Sequence, residues 1–130
     1  MIENSSNWAG NYIYRAAQIY QPETVGQIQE LVTHSDKVKA LGTRHSFNDI
    51  ADSPGDIISL EHFDQIIALD SEHHTVTVEA GVRYGRLARW LHSQGYALHN
   101  LASLPHISVA GACATATHGS GAQQRAIRGR

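Results

Sequence analysis

The chain has 130 residues, with ten Lys and Arg against twelve Asp and Glu, nine His, a formal net charge of -2 and a sequence pI of about 6.5. That length predicts one small domain able to bury a core without disulfide or metal staples, yet short for holding a large cofactor and also enclosing a substrate. With 42% hydrophobic and 17% charged residues the chain is globular rather than disordered, and its near-neutral balance gives no electrostatic case for a nucleic-acid or anionic-membrane partner.

Cys113 is the single cysteine, which excludes an internal disulfide framework and fits a reducing compartment. Met1 to Asn7 carry no basic stretch followed by an apolar one, so no signal peptide is read, and no apolar run spans a bilayer. The expected location is the cytoplasm.

In chain order, Asn7-Trp8-Ala9-Gly10-Asn11 reads as a loop, with Trp8 as a packing anchor, and Tyr12-Ile13-Tyr14 as a short strand. Gln21-Pro22-Glu23-Thr24 opens a helix, because Thr24 with Gln27 fits a capping box and Val25, Ile28, Leu31 and Val32 share a helical face. Ser35-Asp36 ends it. Lys37 to Leu41 reads as a strand that runs into Gly42-Thr43-Arg44-His45-Ser46-Phe47. Asp52 to Asp56 is turn chemistry, and Ile57 to Leu60 a second strand. Ile66 to Asp70 and Thr75 to Ala80 form a hairpin across Ser71-Glu72-His73-His74, whose histidines are expected in solvent. Leu87, Trp90 and Leu91 place a helix over Tyr84 to Ser93, stopped by Gly95. From Ala110 to Ala122 every residue except His118 is Ala, Gly, Ser, Thr or Cys. No closing element precedes Arg125 to Arg130, which suggests a fragment of a longer protein.

Two stretches carry chemistry. In Gly42 to Phe47 a strand delivers the backbone to a glycine, and successive N–H groups there can form a concave nest for phosphate oxygens. Arg44 adds charge, and Thr43 and Ser46 add hydroxyls. The Gly-Lys-Ser/Thr ending of a Walker loop is absent. The bland alternative is an ordinary turn with Gly42 at positive φ. From Ser103 to Gly121, small residues permit close approach of a flat or phosphorylated ligand to the backbone, with Thr115, Thr117 and Ser120 offering hydroxyls. Gly119-Ser120-Gly121 does not complete a dinucleotide fingerprint, since Gln124 stands in the last glycine's place. Here the bland alternative is tight core packing. The histidines lack metal-ligand spacing, so no metal site is assigned. A Ser-His-Asp hydrolase is disfavoured too, because no GxSxG elbow exists and His45 and Ser46 are sequence neighbours.

Leu41-Gly42-Thr43-Arg44-His45-Ser46-Phe47-Asn48-Asp49, together with Ser103-Leu104-Pro105-His106-Ile107-Ser108-Val109-Ala110-Gly111-Ala112-Cys113-Ala114-Thr115-Ala116-Thr117-His118-Gly119, resembles the FAD-binding signatures of the vanillyl-alcohol-oxidase (PCMH-type) flavoproteins. Within that family the chain is most similar to the alditol (xylitol) oxidases and sugar-lactone oxidases, a likeness Asn7 to Asn11 shares. The resemblance implies an α+β FAD-binding domain of two α/β lobes truncated at its C-terminal end, lobe one about 12–58 and lobe two from about 59 to 130, with FAD between them. It implies that Leu41, Gly42, Thr43, Arg44, His45, Ser46 and Phe47 wrap the pyrophosphate and that His45 bonds covalently to the 8α-methyl of the isoalloxazine. Ser103, Ser108, Gly111, Thr115, Ala116, Thr117 and His118 match the second FAD-binding stretch. Ser103 is expected near the flavin and substrate, as the catalytic residue, and Ala102 near the edge that meets oxygen.

The implied reaction oxidises a polyol or sugar-type alcohol to a carbonyl and reduces O2 to hydrogen peroxide. The family's substrate domain has no counterpart in these residues, so the chain alone is expected to be inactive. The alternative from a different class is a non-catalytic nucleotide-binding module using the same loops.

Overall fold

Ile57-Ile58-Ser59 is the most thoroughly buried run among the described residues, at 0%, 4% and 3% exposure. A strand covered on both faces reads as consecutive apolar residues rather than as alternation, which is how a parallel sheet looks in sequence. The computed structural model, which describes residues 6–118, makes this run the middle of a three-stranded sheet. β1 (Gln18–Tyr20), β2 (Val38–Leu41) and β3 (Asp56–Ser59) lie in the order β1-β3-β2, all parallel. Ile57 faces Ile19 on one side and Lys39 on the other. Tyr14, Ile19, Leu41 and Ile57 form the core of this unit, with Tyr12, Ala16 and Ala51 packed against it. Burying the Ile57 side chain alone contributes roughly 2–3 kcal/mol.

The helix α1 (Val25–His34) connects β1 to β2 and begins where the capping box places it. Thr24 Oγ1 accepts from Gln27 N–H at 3.2 Å, while Gln27 Oε1 accepts from Glu23 N–H at 2.7 Å, one residue before the usual partner. At the other end Ser35 N–H donates to Leu31 O, and Ser35 Oγ donates to Asp56 Oδ2 at 2.6 Å, tying the helix exit to the start of β3. The expected apolar face is narrower than its sequence. Ile28 and Leu31 are half-buried, but Val25 and Val32 remain 61% and 49% exposed. Three strands of three or four residues offer only a slim surface for a helix to cover.

Two further expectations shift. Tyr12-Ile13-Tyr14 is not a strand; Ile13 makes a single bridge to Ser6, and the strand is Gln18–Tyr20. The tyrosines are engaged as side chains instead, Tyr14 in the core and edge-on to Tyr12 at 5.8 Å. Trp8 is likewise no core anchor, being 57% exposed.

The chain divides into two compact units, Met1–His62 and Phe63–Arg130. In the second, β4 (Ile66–Asp70) and β5 (Thr75–Val78) form the expected antiparallel hairpin, with a register shift between Ile66 and Ala68. Asp70 closes the turn: its Oδ1 accepts from Glu72 and His73 N–H, and its Oδ2 meets His73 Nδ1 at 2.8 Å. Both turn histidines are exposed, and His74 takes the left-handed conformation at φ 50.

The helix α2 (Tyr84–Ser93) buries Tyr84, Leu87 and Leu91 at i, i+3 and i+7, and Gly95 at φ 82 terminates it. A short helix α3 (Val109–Ala114) follows. Tyr84, Ala102 and Ala112 make the core of this unit, with Leu98, Ile107 and Val109 around them. The α+β architecture expected from sequence is therefore the one observed. The Gly119-Ser120-Gly121 row, Gln124 and the closing Arg125 to Arg130 stretch lie outside the described residues.

Candidate functional site

Parallel strands all end at the same edge of their sheet, and ligands of open α/β sheets bind at that carboxyl edge. Gly42 follows directly on Leu41, the last residue of β2, so Gly42 to Phe47 leaves the sheet at its carboxyl edge. Leu41 is the root of the loop. Its side chain is 3% exposed in the core, and its carbonyl accepts from Leu60 N–H. Gly42 is exposed, Thr43 to Ser46 are half-buried, and Phe47 is 68% exposed.

The left-handed residue, which the bland alternative put at Gly42, is Arg44, at φ 63. A non-glycine residue holds that conformation only when its surroundings over-determine it. Here the segment Ser6 to Asn11 does so. Trp8 N–H donates to Arg44 O at 2.7 Å, and an Arg44 guanidinium nitrogen donates to Ser6 O at 3.4 Å. Asn7, 3% exposed, donates from Nδ2 to Ser46 O at 2.9 Å and to Asn11 Oδ1 at 2.7 Å, while its Oδ1 accepts from Tyr12 N–H. Asn11 Nδ2 donates to Phe47 O at 3.2 Å. The loop carbonyls at positions 44, 46 and 47 are thus each held by a donor from residues 7–11. These asparagine contacts are what sequence reasoning missed; the paired Asn residues flanking Trp8 and Gly10 were the available signal.

His45 sits in the middle of this loop. Its Nδ1 lies 2.9 Å from Thr43 Oγ1, and its ring stacks on Trp8, with centroids 5.2 Å apart and planes 25° from parallel.

The limb of the loop that returns to β3 is held separately. Asn48 caps the short 3-10 turn Asp49–Ala51 by accepting from Ile50 N–H, and Lys39 Nζ donates to Ile50 O and Asp52 O. Asp52, 8% exposed, accepts from Tyr12 OH at 2.7 Å and from Arg15 and Ser53 N–H. Burial pushes the Asp52 carboxyl up, but the Tyr12 hydroxyl and the Arg15 and Ser53 N–H bonds outweigh it and hold the group below the usual carboxylate range. The same bond to Asp52 raises the Tyr12 phenol.

The second stretch belongs to the other unit and is described by itself. Ser103 is exposed. Pro105 O accepts from Gly85 N–H at 2.6 Å and Ile107 O from Tyr84 N–H at 3.0 Å, so the segment lies against the start of α2. Ala102 is buried with Tyr84 and Ala112. Ser108 is 1% exposed at the head of α3, and a Cβ on Gly111 would meet its Oγ at 2.7 Å, so Gly111 and Ser108 serve close packing as seen in this unit. After α3, Thr115 Oγ1 donates to Gly111 O at 3.1 Å, Ala116 takes the left-handed conformation at φ 51, and Thr117 N–H donates to Ala112 O. Thr115, Ala116 and His118 are exposed, and Thr117 is half-buried.

The donor set suits a flavin nucleotide. An exposed glycine, two hydroxyls and a guanidinium sit within one loop around an imidazole whose face and edge are both held. Within its own unit, the second stretch exposes the Ser103 and Thr115 hydroxyls.

Comparison with known proteins agrees. The family described as FAD binding domain matches residues 16–128. An alditol oxidase from a Streptomyces species is 45% identical over 119 residues, covering 89% of this chain and 29% of that protein. L-gulonolactone oxidase from Mus musculus is 34% identical over 119 residues, covering 88% and 27%. The chain therefore spans less than a third of the length of these relatives. Among solved structures, cholesterol oxidase from B. sterolicum superposes with a TM-score of 0.75 at 19% identity, over 91% of this chain and 24% of that one. Xylooligosaccharide oxidase from Myceliophthora thermophila does so at 0.69 and 24%, over 89% and 25%. At those identities the structural likeness concerns the fold. The chain belongs to the FAD-binding domain family.

Proposed function

We propose that this chain is the N-terminal, FAD-binding part of a flavoprotein oxidase acting on a polyol or sugar-type alcohol, with FAD attached covalently through His45. The observation that carries the reading is the His45 loop itself, a strand-to-glycine turn at the carboxyl edge of a parallel sheet that presents an imidazole held by Thr43 and Trp8. The 45% identity to an alditol oxidase supports the alcohol class, and the names of the other relatives, sugar-lactone oxidases among them, weigh against a module without flavin chemistry.

Each residue has a part in this reading. Backbone N–H groups from Gly42 to Phe47, with the Thr43 and Ser46 hydroxyls and the Arg44 guanidinium, bind the pyrophosphate. His45 anchors the ring system. Ser103 serves as the catalytic residue beside the ring and the substrate, and Ser108, Gly111 and Thr115 to His118 build the backbone surface that meets the nucleotide. When bound, FAD would supply two-electron oxidation of the alcohol carbon, with O2 as the acceptor and hydrogen peroxide as the product.

The test is a visible absorption spectrum of the purified chain before and after acid precipitation and washing. Flavin absorbance that stays with the precipitate, and is abolished in His45→Ala, is the expected result. Absorbance wholly released by acid would remove the covalent assignment. A chain that takes up no FAD would remove the reading altogether.

A further inference from the structure

Trp8 presents an oddity. More than half of this large indole faces solvent, at 57% exposure, yet one face lies flat on the His45 imidazole, with centroids 5.2 Å apart and planes 25° from parallel. An aromatic so exposed contributes little to core burial, so its conformation calls for another account. Its backbone is tied to the same place, since Trp8 N–H donates to Arg44 O at 2.7 Å, one residue before the histidine. Asn7 and Asn11, on either side, bond to the carbonyls of Ser46 and Phe47, just after it. The backbone that carries the indole is therefore tied to the loop on which its ring stacks.

We propose that Trp8 is a positioning residue for His45, setting the orientation of the imidazole for attachment to FAD. An imidazole turns about two side-chain bonds. The Thr43 hydroxyl, 2.9 Å from Nδ1, holds one edge and leaves rotation about that contact; the stacked indole removes it. Together the two contacts restrict how the ring is presented, which is what orientation contributes to bond formation. Attachment joins an imidazole nitrogen to the 8α carbon of the flavin. The imidazole proton and one methyl hydrogen leave with two electrons, and O2 accepts them as hydrogen peroxide, so atoms and electrons balance. This inference rests on the covalent assignment proposed above.

The experiment compares the full chain with Trp8→Phe and Trp8→Leu, each prepared without flavin and incubated aerobically with FAD. Acid-stable flavin is followed over time, beside FAD uptake, thermal midpoint and the NMR shifts of the His45 ring protons. In Trp8→Leu, attachment slows about tenfold, the scale of effect a lost orientation produces, while uptake and midpoint stay at their wild-type values. Trp8→Phe, which retains a stacking face, restores the rate to within about twofold. The His45 ring protons, shifted upfield by the indole ring current, move downfield in Trp8→Leu. Equal attachment in Trp8→Leu and wild type overturns the inference and leaves the covalent assignment standing. So does a Trp8→Phe variant as slow as Trp8→Leu, since bulk or the indole N–H would then be the agent. Unchanged His45 shifts in Trp8→Leu overturn the stack itself. A wild-type chain that acquires no acid-stable flavin overturns the assignment and this inference together.

Discussion

Arg44 shows how much local geometry the candidate site concentrates in one residue. Its φ of 63 is a conformation that costs an L-residue with a side chain about 1–2 kcal/mol, and it is maintained by the Trp8 N–H bond to its carbonyl. A β-branched side chain suffers most there, because its second Cβ substituent meets the backbone. Arg44→Val is expected to destabilise the chain by roughly 1–3 kcal/mol. Arg44→Gly relieves the backbone while removing the same guanidinium. Urea denaturation of the two variants separates the contributions: a Val variant as stable as the Gly variant would show that the turn is not strained. Nothing in the local sequence assigns the left-handed turn to Arg44. Gly42 is the natural candidate from composition, and the turn two residues along is held by the donors of Asn7, Trp8 and Asn11.

Among the elements, α2 was the plainest in sequence and is observed at the same limits, Tyr84–Ser93, because its apolar residues and terminal glycine agree on one helix. The strand Gln18–Tyr20 was the least legible, since three residues carry no period and its partner is more than thirty-five positions away, at Asp56 to Ile58. Close approach sets the second stretch against α2. A Cβ on Gly85 would lie 2.9 Å from both Pro105 Cβ and Pro105 O, and the Gly85 N–H donates to that same oxygen. Helix propensity alone would favour Gly85→Ala by about 1 kcal/mol. The contact reverses the sign, and Gly85→Ala is expected to destabilise by roughly 1–3 kcal/mol through overpacking against backbone. A raised thermal midpoint in that variant would show instead that the Pro105 segment yields without cost.

At the scale of the molecule, stability should depend on pH from both sides. Asp52 is held below the ordinary carboxylate range by its hydrogen bonds in spite of burial, and Asp70 by the His73 N–H and ring together with the Glu72 N–H. A group whose pKa is lower folded than unfolded contributes stability above its unfolded value, about 4, and loses it as pH falls through the folded one. On the alkaline side burial, with a smaller contribution from Cys113, pushes the Tyr84 phenol up to about 12. The unfolded chain ionises first, so that contribution is whole below about pH 10 and lost as pH rises toward the folded value. Denaturation curves across pH should show a plateau falling at both ends. Asp52→Asn should flatten the acid limb and lower the plateau by roughly 1–3 kcal/mol, through the loss of a buried acceptor of several bonds. Tyr84→Phe should flatten the alkaline limb with little effect at neutral pH, since the Tyr84 hydroxyl is buried with no hydrogen-bond partner among the described residues. A profile in Asp52→Asn that matches wild type on the acid side would dismiss Asp52 as the titrating group.

The sequence by itself determined the local elements: the Thr24 cap, the hairpin across His73-His74, the α2 helix, the strand leading to Gly42, and the membership in an FAD-binding family. These follow from periodicity, capping and motif, which act over a few residues. Tertiary structure decided which residues support the site. Asn7, Asn11, Trp8 and Asp52 act across thirty-six to forty positions on Arg44, His45, Ser46, Phe47, Tyr12 and Arg15, and it also left Val25 and Val32 uncovered where their spacing implied burial. Bonds between distant side chains and backbone carbonyls leave no periodic trace in sequence, because any polar residue that the fold brings within reach satisfies them.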